Sequence, residues 1–206
     1  VAVRLEPDYY CYEQEGDTPQ GWWDDEHWAQ YNALKAPYET FSKFSKEVQR
    51  KGGKVFTYFQ GSMPSNDFAL ANPEWILNDD ISLLYEDHPH ARPWVKFDFT
   101  NPEFQEYTRK MWTRLGNDGV EGIKFDYPET GWARDGGFDD DTYTTVSAYR
   151  KIYELCREGM GKDAYIHERI MGVVTFTDVP RTDCNAGVVD LQRVWDDASH
   201  FEPEMS

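Results

Sequence analysis

Apolar residues recur along this chain in two alternating rhythms, and those rhythms lay out its elements. "VAVRLEPDYY" (Val1–Tyr10) reads as a buried strand that runs into polar and aromatic residues. A long loop rich in Gly, Pro and acids follows and carries "GWWDDEHW" (Gly21–Trp28). Phe41, Phe44 and Val48 then recur at the spacing of one helix face. "RKGG" (Arg50–Gly53) stops that helix, with basic residues in the last turn and then glycine. "KVFTYFQ" (Lys54–Gln60) predicts the next strand, and "NPEWILND" predicts local helix that leads to "PWVKFDF" (Pro93–Phe99). "TNPEF" opens a helix, with Thr100 or Asn101 as N-cap and Pro102 in the first turn. Phe104, Tyr107, Met111, Trp112 and Leu115 mark its buried face, and "GNDG" closes it before the strand "VEGIKFDY". Ala148, Ile152, Leu155 and Cys156 predict a further helix, ended by "REGMGK"; "DAYIHER" (Asp163–Arg169) is a strand, and "VVDLQRVWDD" (Val188–Asp197) is the last strand-like run.

Strands alternate with helices, and glycines close the helices ahead of the strands. That order implies βαβ units around a parallel sheet. Neither GxGxxG nor GxxxxGK[ST] occurs, so no motif favours a nucleotide-binding doubly wound fold. Polar residues gather where strands end: Glu6 and Asp8, Tyr58 and Gln60, Asp126, Glu168, and Arg193 to Asp197. In a (β/α)8 TIM barrel that end of the strands holds the active site. The expected fold is therefore α/β, a (β/α)8 barrel. Five clear strands leave it an incomplete portion of one. Residues 1–206 form one catalytic barrel domain in this reading; a start at Val1 with no signal peptide fits a processed chain or an excised piece, and the end at "FEPEMS", just after an acidic segment, favours a portion truncated or excised from a longer protein.

Composition narrows the function. A net charge of −17 argues against a nucleic-acid partner, which needs a basic footprint, and against an anionic membrane surface. No apolar run is long enough to span a bilayer. The three cysteines, Cys11, Cys156 and Cys184, have no zinc spacing, and their odd count leaves the compartment open, with an extracellular or periplasmic one favoured. Aromatic residues make up 16% of the chain, so faces for stacking on ligand rings are plentiful, though core packing is the common use of such rings. "DGGFDDD" (Asp135–Asp141) is rich in oxygen ligands but lacks the EF-hand spacing, and a solvated acidic loop is expected.

Two segments carry chemistry. Asp126 closes a strand with Lys124 two residues before it, and side chains two apart in a strand share a face. A nearby ammonium keeps a carboxylate ionised, as a glycosidase nucleophile must be. A capping aspartate at a strand end is the plainer alternative. In "QRVWDDASH", Arg193 precedes Asp197 by four positions, with Trp195 and Asp196 between, and an ordinary acidic loop is again the alternative.

Taken together, Lys124-Phe125-Asp126 and Arg193…Asp197 resemble the catalytic strands of glycoside hydrolase families 27 and 36, the α-galactosidase clan GH-D. In that clan a K-x-D motif ends the fourth barrel strand. The acid/base lies on the sixth, commonly four residues after an arginine, and here "DAYIHER" lies between. "KFDFTNPEFQEY" also looks like the helix start found before the nucleophile strand in family 36, and "WWDDEHW" loosely resembles a sugar-binding segment. The chain departs from family 27 at Tyr127-Pro128, where a cysteine is usual, and lacks the family 36 W-x-S-D-D form.

The resemblance implies a retaining exo-α-glycosidase acting on terminal α-galactosides, with Asp126 as nucleophile and Asp197 as acid/base. Lys124 and Arg193 would hold sugar hydroxyls. Further substrate-binding candidates are Glu168, Asp8, Asp24, Asp25, Tyr58, Trp132, Trp195 and Asp196. The expected partner is an oligosaccharide or glycoconjugate, with no cofactor or metal. Alternatives are α-N-acetylgalactosaminidase, α-glucosidase or transglycosylase activity, or a non-catalytic carbohydrate-binding barrel.

Overall fold

A computed structural model describes residues 1–4, 36–60, 71–77, 96–126, 131–133, 135–169 and 184–193. Among these, the strands are β1 (Ala2–Arg4), β2 (Lys54–Gln60), β3 (Val120–Asp126), β4 (Tyr165–Arg169) and β5 (Leu191–Arg193). They form one five-stranded sheet in sequence order, and every neighbouring pair is parallel. The helices α1 (Phe41–Arg50), α2 (Pro102–Asn117) and α3 (Thr145–Met160) fall between successive strands. Each strand therefore returns to the sheet through a crossover, as parallel pairing requires.

The local chemistry explains the boundaries. Thr40 caps α1 by accepting from Lys43 N, and Gly52 follows its end at φ 77°, a conformation that favours glycine. Asn101 caps α2: its side chain accepts from the amides of Glu103 and Phe104, and Pro102 occupies the first turn. Thr144 and Ser147 form a reciprocal capping box at the start of α3. Gly119 and Gly161, at φ 94° and 103°, turn the chain out of α2 and α3 into the next strands.

The segment before α2 follows another course from its apolar run. Lys96–Phe99 does not join the parallel sheet; Phe97 makes an isolated antiparallel bridge to Ile76, beside a 3-10 turn at Pro73–Trp75. Its rings serve the core instead: Phe97 and Phe99 stand 5.1 and 5.0 Å from Phe104 of α2. Asp98 is buried in this turn and accepts from Thr100 N, Thr100 Oγ1 and Asp139 N at 2.8, 2.7 and 2.6 Å. The Asn101 amide donates to Asp139 Oδ2 at 2.8 Å. The acidic loop expected to be solvated is thus tied at Asp139 to the start of α2. Among the described residues, no three His, Cys, Asp or Glu side chains come together to hold a metal ion.

The core lies between the sheet and the helices. Phe59 and Phe125 stand 5.2 Å apart on adjacent strands, and Trp112 of α2 closes over both at 5.1 and 5.7 Å. Tyr153 of α3 meets Phe125 edge-on at 4.9 Å. These contacts set the sheet's two faces. Phe59, Phe125 and their register partners face the helices, and side chains one position away face the other side.

Candidate active site

On the face away from the helices, three side chains converge at the C-terminal end of the strands. Tyr58 of β2 is in register with Lys124 of β3, and Gln60 with Asp126. The Tyr58 hydroxyl donates to Asp126 Oδ2 at 2.9 Å, and Lys124 Nζ stands 3.1 Å from the same oxygen. Lys124 Nζ also lies 4.8 Å from the centre of the Tyr58 ring, a cation–π distance. Asp126 is buried, at 4% exposure, and the Lys124 side chain is only slightly more open. A carboxylate taken out of water needs compensation. Here one ammonium and one phenol supply it from two adjacent strands. The result is a positioned carboxylate with a cation and a donor beside it, the equipment of a carboxylate nucleophile or of a hydroxyl-binding site.

Glu168 stands elsewhere. The sequence offers it as a substrate-binding candidate. It is instead the register partner of Phe125, not of Lys124, and alternation therefore turns it toward the helices. There it is fully buried, and the hydroxyls of Tyr149 and Tyr153 in α3 both bond to its Oε1. The Gln192 amide of β5 reaches Oε2 at 3.4 Å. Burial pushes the Glu168 carboxyl up to about 8, so it is mostly neutral at pH 7. The two tyrosines also touch each other, hydroxyl to hydroxyl, at 2.7 Å. With Glu168 they make a closed ring of three oxygens in which each can donate once.

Trp132 packs edge-on to Tyr149 at 5.7 Å and joins the core on this same side. Arg193 ends β5, its backbone opposite that of Arg169. Asp8, Asp24, Asp25, Trp195, Asp196 and Asp197 lie outside the described residues. The structure therefore brings together Tyr58, Lys124 and Asp126 of the candidates, and sets Glu168 and Trp132 behind the sheet.

Two further features did not stand out in the sequence. His167 is the register partner of Lys124, so the two residues share the Asp126 face on adjacent strands. Sequence spacing holds no trace of this, because register between strands is set by the packed sheet. Tyr149 and Tyr153 are an i, i+4 pair on the α3 face already marked by Ala148 and Ile152; the pairing was visible, but its carboxyl partner was not.

No family model matches the sequence, and no curated protein matches it. Solved structures do match. An alpha-galactosidase from Thermus thermophilus in complex with p-nitrophenyl alpha-D-galactopyranoside superposes with a TM-score of 0.54 at 19% identity, over 76% of this chain and 30% of that one. The same enzyme in complex with stachyose gives 0.53 at 18%, over 76% and 31%. A trehalose-6-phosphate hydrolase from Bacillus licheniformis gives 0.50 at 15%, over 84% and 38%. The chain folds as part of a (β/α)8 barrel. These neighbours are glycoside hydrolases, and the chain spans about a third of their length. Within the described residues Asp126 ends the third strand of the sheet, and one strand, β4, separates it from β5.

Proposed function

We propose that this barrel belongs to a retaining exo-α-glycosidase that removes terminal α-linked galactose. The observation that carries the reading is the buried Asp126 carboxylate at a strand's C-terminal end, with Lys124 at 3.1 Å and the Tyr58 hydroxyl at 2.9 Å. Barrel enzymes work at that end of the strands. Asp126 attacks the anomeric carbon and forms a glycosyl-enzyme, while Asp197, beyond β5, protonates the leaving oxygen and then deprotonates water. Lys124 and Tyr58 hold the nucleophile's orientation and neutralise its charge, and Lys124 and Arg193 bind sugar hydroxyls. The likeness in fold to an alpha-galactosidase supports the choice of sugar.

The test is a panel of aryl α- and β-glycosides, galactosides and glucosides among them, offered to the full-length protein. Cleavage of the α-galactoside is expected. Asp126→Asn should lower it by roughly 10³-fold or more while the far-UV spectrum stays the same. An Asp126→Asn protein that keeps its activity would remove Asp126 from the reaction, and preferred cleavage of an α-glucoside would move the enzyme to that substrate.

A further inference from the structure

The strand that leads to Arg193 and Asp197 has little apolar burial to hold it. Its one apolar side chain, Leu191, is 45% exposed. Its main-chain pairing with β4 and a set of polar contacts hold it instead. Arg150 of α3 donates to the carbonyls of Cys184 and Ala186 at 2.9 and 3.0 Å. Arg157, two turns further along α3, donates to Val188 O at 3.2 Å and to Asp190 Oδ2 at 2.9 Å. Asp190 closes the start of β5 onto β4: its amide donates to Ile166 O, and its carboxylate accepts from Ile166 N at 2.8 Å. The next contact along is the one between Gln192 and Glu168, and Gln192 also bonds to Asn185 Oδ1.

We propose that Glu168 is a positioning residue: held from behind the sheet by Tyr149 and Tyr153, it fixes Gln192, and through it the place of the next residue, Arg193, along β5. Three observations carry this. Glu168 is fully buried, where a leucine would meet the packing need without the cost of desolvating a carboxyl. Its two oxygens are divided between elements, Oε1 to α3 and Oε2 to β5, so it couples the helix to the strand. Its place is also one position from the site on both sides: it pairs with Phe125, between Lys124 and Asp126, and Gln192 adjoins Arg193. The main-chain ladder sets the register of β5 on β4, and the one carboxyl adds a side-chain tie that links that register to α3. The role rests on the glycosidase reading, since it gives Arg193 and Asp197 their task.

The test compares Glu168→Leu, Glu168→Gln and Gln192→Leu in the full-length protein on an aryl α-galactoside. Glu168→Leu and Gln192→Leu should each lower kcat at least tenfold with KM changed less, and the double variant should be no worse than the weaker single one, because both cut one chain of contacts. Glu168→Gln, which keeps polar atoms at both ends, should recover most of that loss. Amide hydrogen exchange gives a readout that needs no activity: in Glu168→Leu and Gln192→Leu, residues 191–193 should exchange at least tenfold faster while β2 and β3 keep the wild-type rate. Unchanged exchange at 191–193 in Gln192→Leu would overturn the proposal, as would equal kcat losses in Glu168→Gln and Glu168→Leu. If wild type cleaves no glycoside, the functional reading falls, and the exchange result alone decides whether Glu168 holds β5.

Discussion

Replacing Glu168 by glutamine should change how the protein's stability depends on pH, and the size follows from the carboxyl's surroundings. Burial raises the folded-state value to about 8, from 4.5 in an open chain. Between those two pH values the folded state keeps a proton that the unfolded chain has released. The stabilisation is therefore complete below about pH 4.5 and is lost as pH rises through about 8. Each pH unit crossed removes about 1.4 kcal/mol, so the whole interval is worth roughly 5 kcal/mol at most. That is as large as the entire stability of many domains. The two tyrosine hydroxyls can both turn to the ionised form, which reduces the effect to about 2–4 kcal/mol. Glutamine carries no titrating proton and still accepts from a tyrosine. Urea unfolding of wild type and Glu168→Gln, measured from about pH 5 to about pH 8, gives the comparison. Wild type should lose stability relative to the variant by about 1 kcal/mol per pH unit over that range. All other titrating groups are common to both proteins and cancel. Two parallel stability curves would refute the reasoning, because they would mean that Glu168 releases its proton equally in both states.

Substitutions at two positions test how the barrel wall is built. Gly159→Ala sits inside α3, where helix propensity alone favours alanine by about 1 kcal/mol. Its added carbon would stand 2.5 Å from Trp112 Cβ and 2.8 Å from the Arg109 carbonyl, so α2 and α3 must part. Overpacking of this kind costs about 1–3 kcal/mol, and the urea midpoint should fall; a rise would show that the two helices separate freely. Asn101→Ala removes the cap on α2 and the bond to Asp139 together and should cost about 1–2 kcal/mol, again read from the urea midpoint. Asn101→Asp should fall between, because it keeps the cap but faces the Asp139 carboxylate; a midpoint equal to wild type in Asn101→Ala would count against the cap.

The elements of the wall were legible in the sequence because their causes are local. Phe41, Phe44 and Val48 mark α1, Asn101-Pro102 starts α2, and Gly119 and Gly161 end α2 and α3, each through an interaction within a few residues. Lys124 and Asp126 also declared a shared face, since strand alternation is fixed by covalent geometry. What lies between strands was not legible. Register decided that Lys124 meets Tyr58 and His167 and that Glu168 meets Phe125, and register depends on how the whole sheet packs. A shift of one position would have put Glu168 on the Asp126 face of the sheet. The packed sheet instead turns it to Tyr149 and Tyr153, where burial makes it a neutral acid. The same limit applies to "PWVKFDF": its apolar run resembles a strand, but Phe97, Phe99 and Phe104 pack on one another and are buried where the chain enters α2. The sequence by itself determined the order of strands and helices and one carboxylate–ammonium pair. Only the tertiary structure decided which side chains share that pair's face, because neighbours across a sheet are chosen by packing.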